Sequence, residues 1–360
     1  MAADELDLSR IASIDELHAI AARVLDRNAY DYYRSGAGTE WTLAENEAAF
    51  RRWTFAKRVL VDVSEPDLSV ELFGTHLAVP LVVAPTAMHG LAHPDAELAT
   101  ARAAASAGSL MVISTWANHA IEEFDATGVP RWFQIYVQRD REMTRDLVNR
   151  AVAAGCTALV LTVDTPELGN RWTDVRAPFQ MPDGMVCGNL GRDPSVGGAG
   201  LRGFVSALDP SLDWSVVEWL QEVAGLPVLV KGILTADDAH RALSHGAAGI
   251  VVSNHGGRQL DGDPATLDAL PEVAEAVAGD VPVLMDGGVR TGTDVVKALC
   301  LGADAVAVGR PVLWGLAAGG RDGVARALEL LQSQTVDAAR QLGAPTRADL
   351  APERLRRRPA

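Results

Sequence analysis

Cysteine is scarce in this chain of 360 residues: Cys156, Cys187 and Cys300 stand alone, with no CxxC pair and no zinc-like spacing. Three scattered thiols argue against a disulfide framework and a metal site, and they fit a reducing, cytoplasmic compartment. No run of 18 apolar residues occurs, so no membrane span is expected. The N-terminus, MAADELDLSRIAS, is acidic and lacks the apolar stretch of a secretory signal. Positive charge is in deficit, with 32 Lys and Arg against 47 Asp and Glu and a formal charge of −15. That field disfavours nucleic acid and anionic membrane surfaces as partners, yet it admits a small anion held in a local basic pocket. Also missing is a GxGxxG after the first apolar strand, which weakens a dinucleotide-binding fold.

What is present is a regular alternation. Apolar residues make up 48% of the chain, enough for a large core. Runs of strand length appear at 79–84, 110–114, 132–137, 158–163, 227–231, 249–253, 281–285 and 305–309. Helix-like segments separate most of them, at 95–107, 140–154, 214–224, 235–245, 265–278 and 292–301, and 322–342 supplies the last helix. Continuous apolar strands between helices are parallel strands buried on both faces. Eight such units predict an α/β fold of the (β/α)8, or TIM-barrel, type, in one domain over 1–360. An N-terminal extension over 1–76 precedes it, helical at 13–33 and a mixed connection from 40 onward. Residues 182–212, rich in Gly, Pro, Asp and Ser, are expected to form a mobile lid after the fourth strand. The basic tail, with Arg354, Arg356, Arg357 and Arg358, is expected to be solvated.

Barrels of this type carry their chemistry at the carboxyl ends of the strands. Those ends read Pro85-Thr86-Ala87-Met88, Ser114-Thr115-Trp116, Gln134 with Tyr136, and Thr162 with Asp164 and Arg171. The second half gives Lys231, Ser253 with His255 and Arg258, Asp286-Gly287-Gly288 with Arg290, and Gly309-Arg310. In VVSNHGGRQLDG, at 251–262, a buried strand breaks into a histidine suited to proton transfer and an arginine suited to gripping a carboxylate. The glycines and arginines after strands seven and eight describe a phosphate site. Hydroxyls and the Gln134 amide suit the edge of a flat heterocycle. Lys231 suits the part of such a ring that becomes negative on reduction, so the set describes a flavin mononucleotide (FMN) site. The tyrosines of YDYYR, at 30–34, either pack or lend a hydroxyl to this site.

Several stretches together are specific: YDYYRSGAG, APTAMHGLAHPDAELATARAA, WFQIYV, LTVDTPELGNR, KGILTADDA, SNHGGRQLDG, DGGVRTGTDVVKALCLGADAV and GRP. From about Tyr30 to Leu342 the chain resembles the FMN-dependent L-2-hydroxy-acid oxidases and dehydrogenases. The resemblance implies that His255 is the base and that Asp164 orients it. It implies that Arg171 and Arg258 hold the substrate carboxylate with help from the hydroxyls of Tyr32 and Tyr136, and that Lys231 stabilises the reduced flavin. Pro85, Thr86, Ala87, Ser114, Gln134, Thr162 and Ser253 would line the ring. Asp286 would take the ribityl chain, and Gly287, Gly288, Arg290, Gly309 and Arg310 the phosphate. Trp116, Met88 and His89 either border the substrate side chain or pack. Glu167, Asn170 and Gln138 depart from the family pattern, the last at the expected pocket rim.

The implied activity is oxidation of an L-2-hydroxy acid to the 2-oxo acid, with oxygen reoxidising FMN to give hydrogen peroxide. One alternative passes the electrons to a quinone or protein acceptor, and another is a non-redox FMN-barrel isomerase. The resemblance also implies a homotetramer or octamer. Whether the substrate side chain is aliphatic or aromatic stays open.

Overall fold

Eight short parallel strands close into a barrel in the computed structural model, which describes residues 7–191 and 200–358. In chain order they are Leu81–Val83, Leu110–Ser114, Arg131–Ile135, Leu159–Thr162, Val228–Ile233, Gly249–Val252, Val283–Asp286 and Ala305–Val308. Each pairs with its sequence neighbour, and the eighth pairs with the first through Val306 opposite Leu81 and Val308 opposite Val83. All eight fall on the predicted apolar runs. The pleat sorts their side chains: Val82, Val112, Val160, Leu229, Val251 and Leu284 fill the interior. Leu81, Val83, Met111, Ile113 and Val230 pack outward under the helices. Both faces are dry, which is why these strands read as continuous apolar runs rather than as alternation.

One end of the barrel is plugged and the other carries a cleft. The hairpin Val70–Leu72/Thr75–Leu77 joins the interior cluster through Val70, Leu72 and Leu77, and Phe73 meets the buried Trp132 edge-on at 5.5 Å. The outer helices lie where the apolar periodicity puts them, among them Ala96–Ser106, Arg141–Ala153, Ala236–Ser244 and Gly292–Cys300. The last helix starts earlier than expected, running Arg310–Leu342 with a non-helical break at Gly319 and Gly320.

Two expectations need correction. The mixed connection after residue 40 contains a helix, Trp41–Arg51, beside Ile14–Val24 and Arg27–Arg34 of the extension. Its buried residues, Thr42, Asn46, Ala49 and Phe50, are half polar, so hydrophobic spacing could not reveal it. The basic tail is solvated at Arg356, Arg357 and Arg358 but not at Arg354. Leu355–Arg357 pairs antiparallel with Trp53–Phe55, and Arg354 is buried, donating to the carbonyls of Asp349 and Gly343.

The expected lid spans 182–212. Part of that stretch, 192–199, lies outside the described residues. Its first residues, Pro182, Asp183 and Gly184, are exposed, and packing begins at Cys187. Cys187 and Asn189 are buried, and the Asn189 amide donates to Ser114 O and accepts from Ile121 N.

Candidate active site

The cleft at the carboxyl ends of the strands has a volume of about 1120 Å³. Of the expected site residues, Tyr32, Pro85, Thr86, Ala87, Ser114, Trp116, Gln134, Tyr136, Thr162, Arg171, Lys231, His255, Arg258, Asp286, Gly287, Gly288, Arg290, Gly309 and Arg310 all line it. Residues separated by more than 270 positions in sequence thus share one concave surface.

His255 stands just past the sixth strand in the left-handed region, at φ 58°. For a residue with a Cβ that backbone is strained by about 1–3 kcal/mol, a cost that persists where surrounding structure imposes it. Gly256 and Gly257 continue the turn, and a Cβ on Gly257 would sit 2.7 Å from the Leu43 backbone. The imidazole Nδ1 lies 2.8 Å from Asp164 Oδ1, which also accepts from the Thr165 hydroxyl at 3.0 Å. Burial would raise the Asp164 carboxyl, but His255 and Lys231 hold it down at about 2. Burial lowers the His255 pKa below 6.5, against the opposing pull of Asp164. At neutral pH the pair is therefore a carboxylate accepting from Nδ1–H, with Nε2 carrying a free lone pair.

Two arginines flank this base. Arg258 uses Nη1 to reach the carbonyls of Tyr32 and Ser35, both at 2.8 Å, and its guanidinium lies 5.2 Å from the Tyr32 ring centroid. Arg171 is only 6% exposed, and its one side-chain hydrogen bond among the described residues runs from Nε to Arg258 O at 3.4 Å. Burial, then the neighbouring Arg258, brings Arg171 down to about 10. Neither has an acidic partner among the described residues. The same holds for Arg310, whose donors go to the carbonyls of Tyr33, Gly256 and Ser35. Three guanidinium groups converging without a counter-charge form an anion receptor.

At the floor, Lys231 Nζ donates to Ser253 Oγ at 2.9 Å and lies 3.5 Å from Asp286 Oδ2 and 4.0 Å from Asp164 Oδ2. Burial alone would lower Lys231, but Asp286 and Asp164 together raise it, so it stays cationic. Ser253, expected against the ring, is fully buried and is not among the cleft-lining residues. Its hydroxyl instead passes the Lys231 contact on to Asp286 Oδ1 at 2.6 Å. Gln134, which lines the cleft, accepts from the Ser114 hydroxyl and from Thr115 N, while its buried Nε2 has no partner among the described residues.

On the far side, Gly287, Gly288 and Gly309 bare backbone beside Arg290 and Arg310, at the start of the helix Arg310–Leu342. A helix N-terminus with adjacent arginines suits a phosphate. Arg290 Nη2 is paired with Glu47 at 2.7 Å. Gly288 has φ 78°, and a Cβ there would fall 2.0 Å from Asn46 O. The helix Trp41–Arg51, hidden from sequence reasoning, is thus the buttress of this loop.

Other placements differ from expectation. Met88 and His89 are buried but do not line the cleft, whereas Trp116 does, stacked on Tyr136 at 4.5 Å. Gln138 is buried and donates to Tyr136 O rather than edging the cleft. Glu167 and Asn170 are exposed and take part through backbone carbonyls, to Gln259 Nε2 and Gly38 N. Thr165, at the same strand end as Thr162, also lines the cleft, and cleft residues that were not anticipated include Leu168, Val205, Gln259 and Leu313. Asn46 and Asn254 form a reciprocal side-chain amide pair at 2.9 and 2.8 Å, and Asn254 Oδ1 also accepts from Gly257 N. Polar residues on a weakly amphipathic helix were the available signal, and single-chain periodicity does not register it.

A family model for FMN-dependent dehydrogenases matches residues 21–357. Glycolate oxidase 1 of Zea mays is 49% identical over 334 residues, covering 91% of this chain and 90% of that protein. 2-Hydroxyacid oxidase 1 of Homo sapiens is 48% identical over 338 residues, covering 91% of each. Among solved structures, a mandelate oxidase superposes with a TM-score of 0.90 at 41% identity, covering 96% of this chain and 98% of that one.

Proposed function

Because the chain belongs to the FMN-dependent dehydrogenase family, we propose that its cleft oxidises an L-2-hydroxy acid to the 2-oxo acid on FMN, with His255 as base. FMN-dependent 2-hydroxy-acid oxidation is the activity of its named relatives, glycolate oxidase and mandelate oxidase. The observation that carries the residue-level reading is the meeting of a neutral His255 with Arg171 and Arg258, two guanidinium groups that have no acidic partner among the described residues. A base beside an unpaired carboxylate receptor is what removal of hydrogen next to a carboxylate requires.

The residues present fit the cofactor. The unpartnered Gln134 Nε2 is a donor waiting for a ring acceptor, and the Gly287–Gly288 and Gly309–Arg310 loops are shaped for a phosphate. Pro85, Thr86, Ala87, Ser114 and Thr162 would complete the ring wall, with Asp286 toward the ribityl chain and Arg290 and Arg310 toward the phosphate. When bound, FMN supplies the sink for two electrons.

The chain's own groups do the rest. Arg171 and Arg258 fix the substrate carboxylate and thereby the orientation of its carbon, while Tyr32 and Tyr136 offer hydroxyls. Burial, reinforced by Asp164, raises the Tyr136 phenol, so it remains a donor. His255 Nε2 accepts the hydroxyl proton, and Asp164 stabilises the imidazolium that results. Lys231 offsets negative charge accumulating at the floor of the cleft.

Oxygen is the proposed electron acceptor, giving hydrogen peroxide. The three buried free cysteines support a reducing compartment, the cytoplasm. No described helix is long and apolar enough to cross a membrane. Assembly as a homotetramer is proposed from the family likeness, and exposed Trp41, Trp172, Val175 and Leu260 supply apolar surface for it. The test is aerobic turnover with glycolate, lactate and mandelate. Peroxide formed in step with the oxo acid supports oxygen as acceptor. Dye reduction without peroxide under the same conditions supports a dehydrogenase instead.

A further inference from the structure

Directly behind the cleft lies a buried polar cluster that the reaction machinery leaves unused. His89, fully buried, places Nε2 at 2.6 Å from Thr86 Oγ1 and Nδ1 at 3.0 Å from Thr100 Oγ1. Its backbone is pinned as well. The N–H groups of His89 and Asn118 both donate to Glu97 Oε1 at 3.0 Å, and Glu97 is itself fully buried on the helix Ala96–Ser106. Of the two residues that contact the ring, Thr86 lines the cleft and Thr100 does not.

The direction of each hydrogen bond follows from counting protons. Burial lowers the His89 pKa, so the ring is neutral, with one N–H and one lone pair. The Thr100 hydroxyl is fully buried, and His89 Nδ1 is its one side-chain partner among the described residues. Buried hydroxyl protons are used, so Thr100 donates to Nδ1. The N–H then sits on Nε2 and donates to Thr86 Oγ1. Thr86 Oγ1 has no other hydrogen-bond partner among the described residues, so its own proton is left available to an acceptor in the cleft that Thr86 lines.

We propose that His89 is a positioning residue for the cofactor: it commits the Thr86 hydroxyl to donate toward the flavin ring. This rests on the FMN reading above. A donor facing a ring atom gains strength as that atom becomes more negative, because hydrogen bonds to ionised acceptors are roughly twice as strong as neutral ones. The His89–Thr86 pair therefore favours reduced over oxidised FMN.

The experiment is an anaerobic dye-equilibration titration of the FMN-loaded protein. His89→Leu is expected to lower the affinity ratio, reduced over oxidised, by about threefold to tenfold, or ~15–30 mV for a two-electron couple. Thr86→Val is expected to lower it by at least as much. His89→Leu added to Thr86→Val should then change nothing further, since His89 acts through that hydroxyl. A role in packing alone would weaken both redox states equally and leave the potential where it was. Thr100→Val, close in shape and outside the cleft, reads the same relay should His89→Leu fail to fold, and it too should lower the potential.

An unmoved potential in these variants, or an equal His89→Leu shift with and without Thr86, overturns the proposal while leaving the flavin assignment standing. A wild-type protein that stays colourless with added FMN defeats that assignment, and the proposal with it.

Discussion

His255 and Asp164 meet at 2.8 Å through Nδ1 and Oδ1, although 91 residues separate them in sequence. The contact fixes the imidazole's tautomer, because a carboxylate held near 2 can only accept. Everything assigned to the base depends on that pairing.

Replacing His255 with Ala should leave the protein yellow, since the cofactor contacts lie elsewhere. The rate of flavin reduction should fall roughly 10²- to 10⁴-fold, the usual contribution of a general base. Stopped-flow reduction under argon measures it, and near-normal reduction removes His255 from that role.

The acid limb of kcat/KM should lie below pH 6.5. Burial lowers the His255 pKa, so the lone pair is present at neutral pH and is lost as pH falls through that lowered value. Asp164 stays ionised throughout. A limb centred above pH 7 would contradict the assignment.

Arg258→Met and Arg171→Met should each weaken carboxylate binding. Hydrogen bonds to charged groups contribute about 1.5–3 kcal/mol, which corresponds to roughly 10- to 150-fold in apparent affinity. Arg258→Met should also loosen the segment around Tyr32 and Ser35, whose carbonyls it holds. Unchanged rate and affinity in the Arg171 variant would exclude it from the clamp.

Asn46→Ala should leave the buried Asn254 amide with only Pro264 O and Gly257 N, deprive Thr266 N of its acceptor, and cost about 1–3 kcal/mol of stability. Because Asn254 also holds Gly257 N, His255 should lose its strained backbone, and flavin reduction should slow as well. Urea unfolding with parallel reduction kinetics separates the two effects. Wild-type stability would show the amide pair to be incidental.

Gly288→Ala should abolish FMN retention, since the added carbon would meet Asn46 O at 2.0 Å and the residue's φ is 78°. Gel filtration with absorbance detection reads it. A variant that keeps its cofactor in full would mean that the loop shifts freely.

The barrel was legible because strands buried on both faces are apolar without interruption, and most cleft residues followed from reading what comes next. Legibility stopped where polar groups do the packing. The helix Trp41–Arg51 buries Thr42 and Asn46, which no periodicity of apolar residues marks. The arginine-rich tail reads as solvated throughout, yet Arg354 is buried and Leu355–Arg357 pairs as a strand. Ser253 follows a strand as the ring-lining residues do, yet its hydroxyl turns to Lys231 and Asp286, a choice set by neighbours 22 and 33 residues away. His89 sits in a stretch that matches the family, but only three-dimensional packing shows that it faces Thr86 rather than the substrate.

The most direct test mixes FMN-loaded protein with glycolate, lactate or mandelate under argon and follows the flavin absorbance. Bleaching by at least one L-2-hydroxy acid, with its 2-oxo acid formed in equal amount, is the expected result. Flavin that stays oxidised across a broad panel of hydroxy acids would contradict the assignment of this cleft.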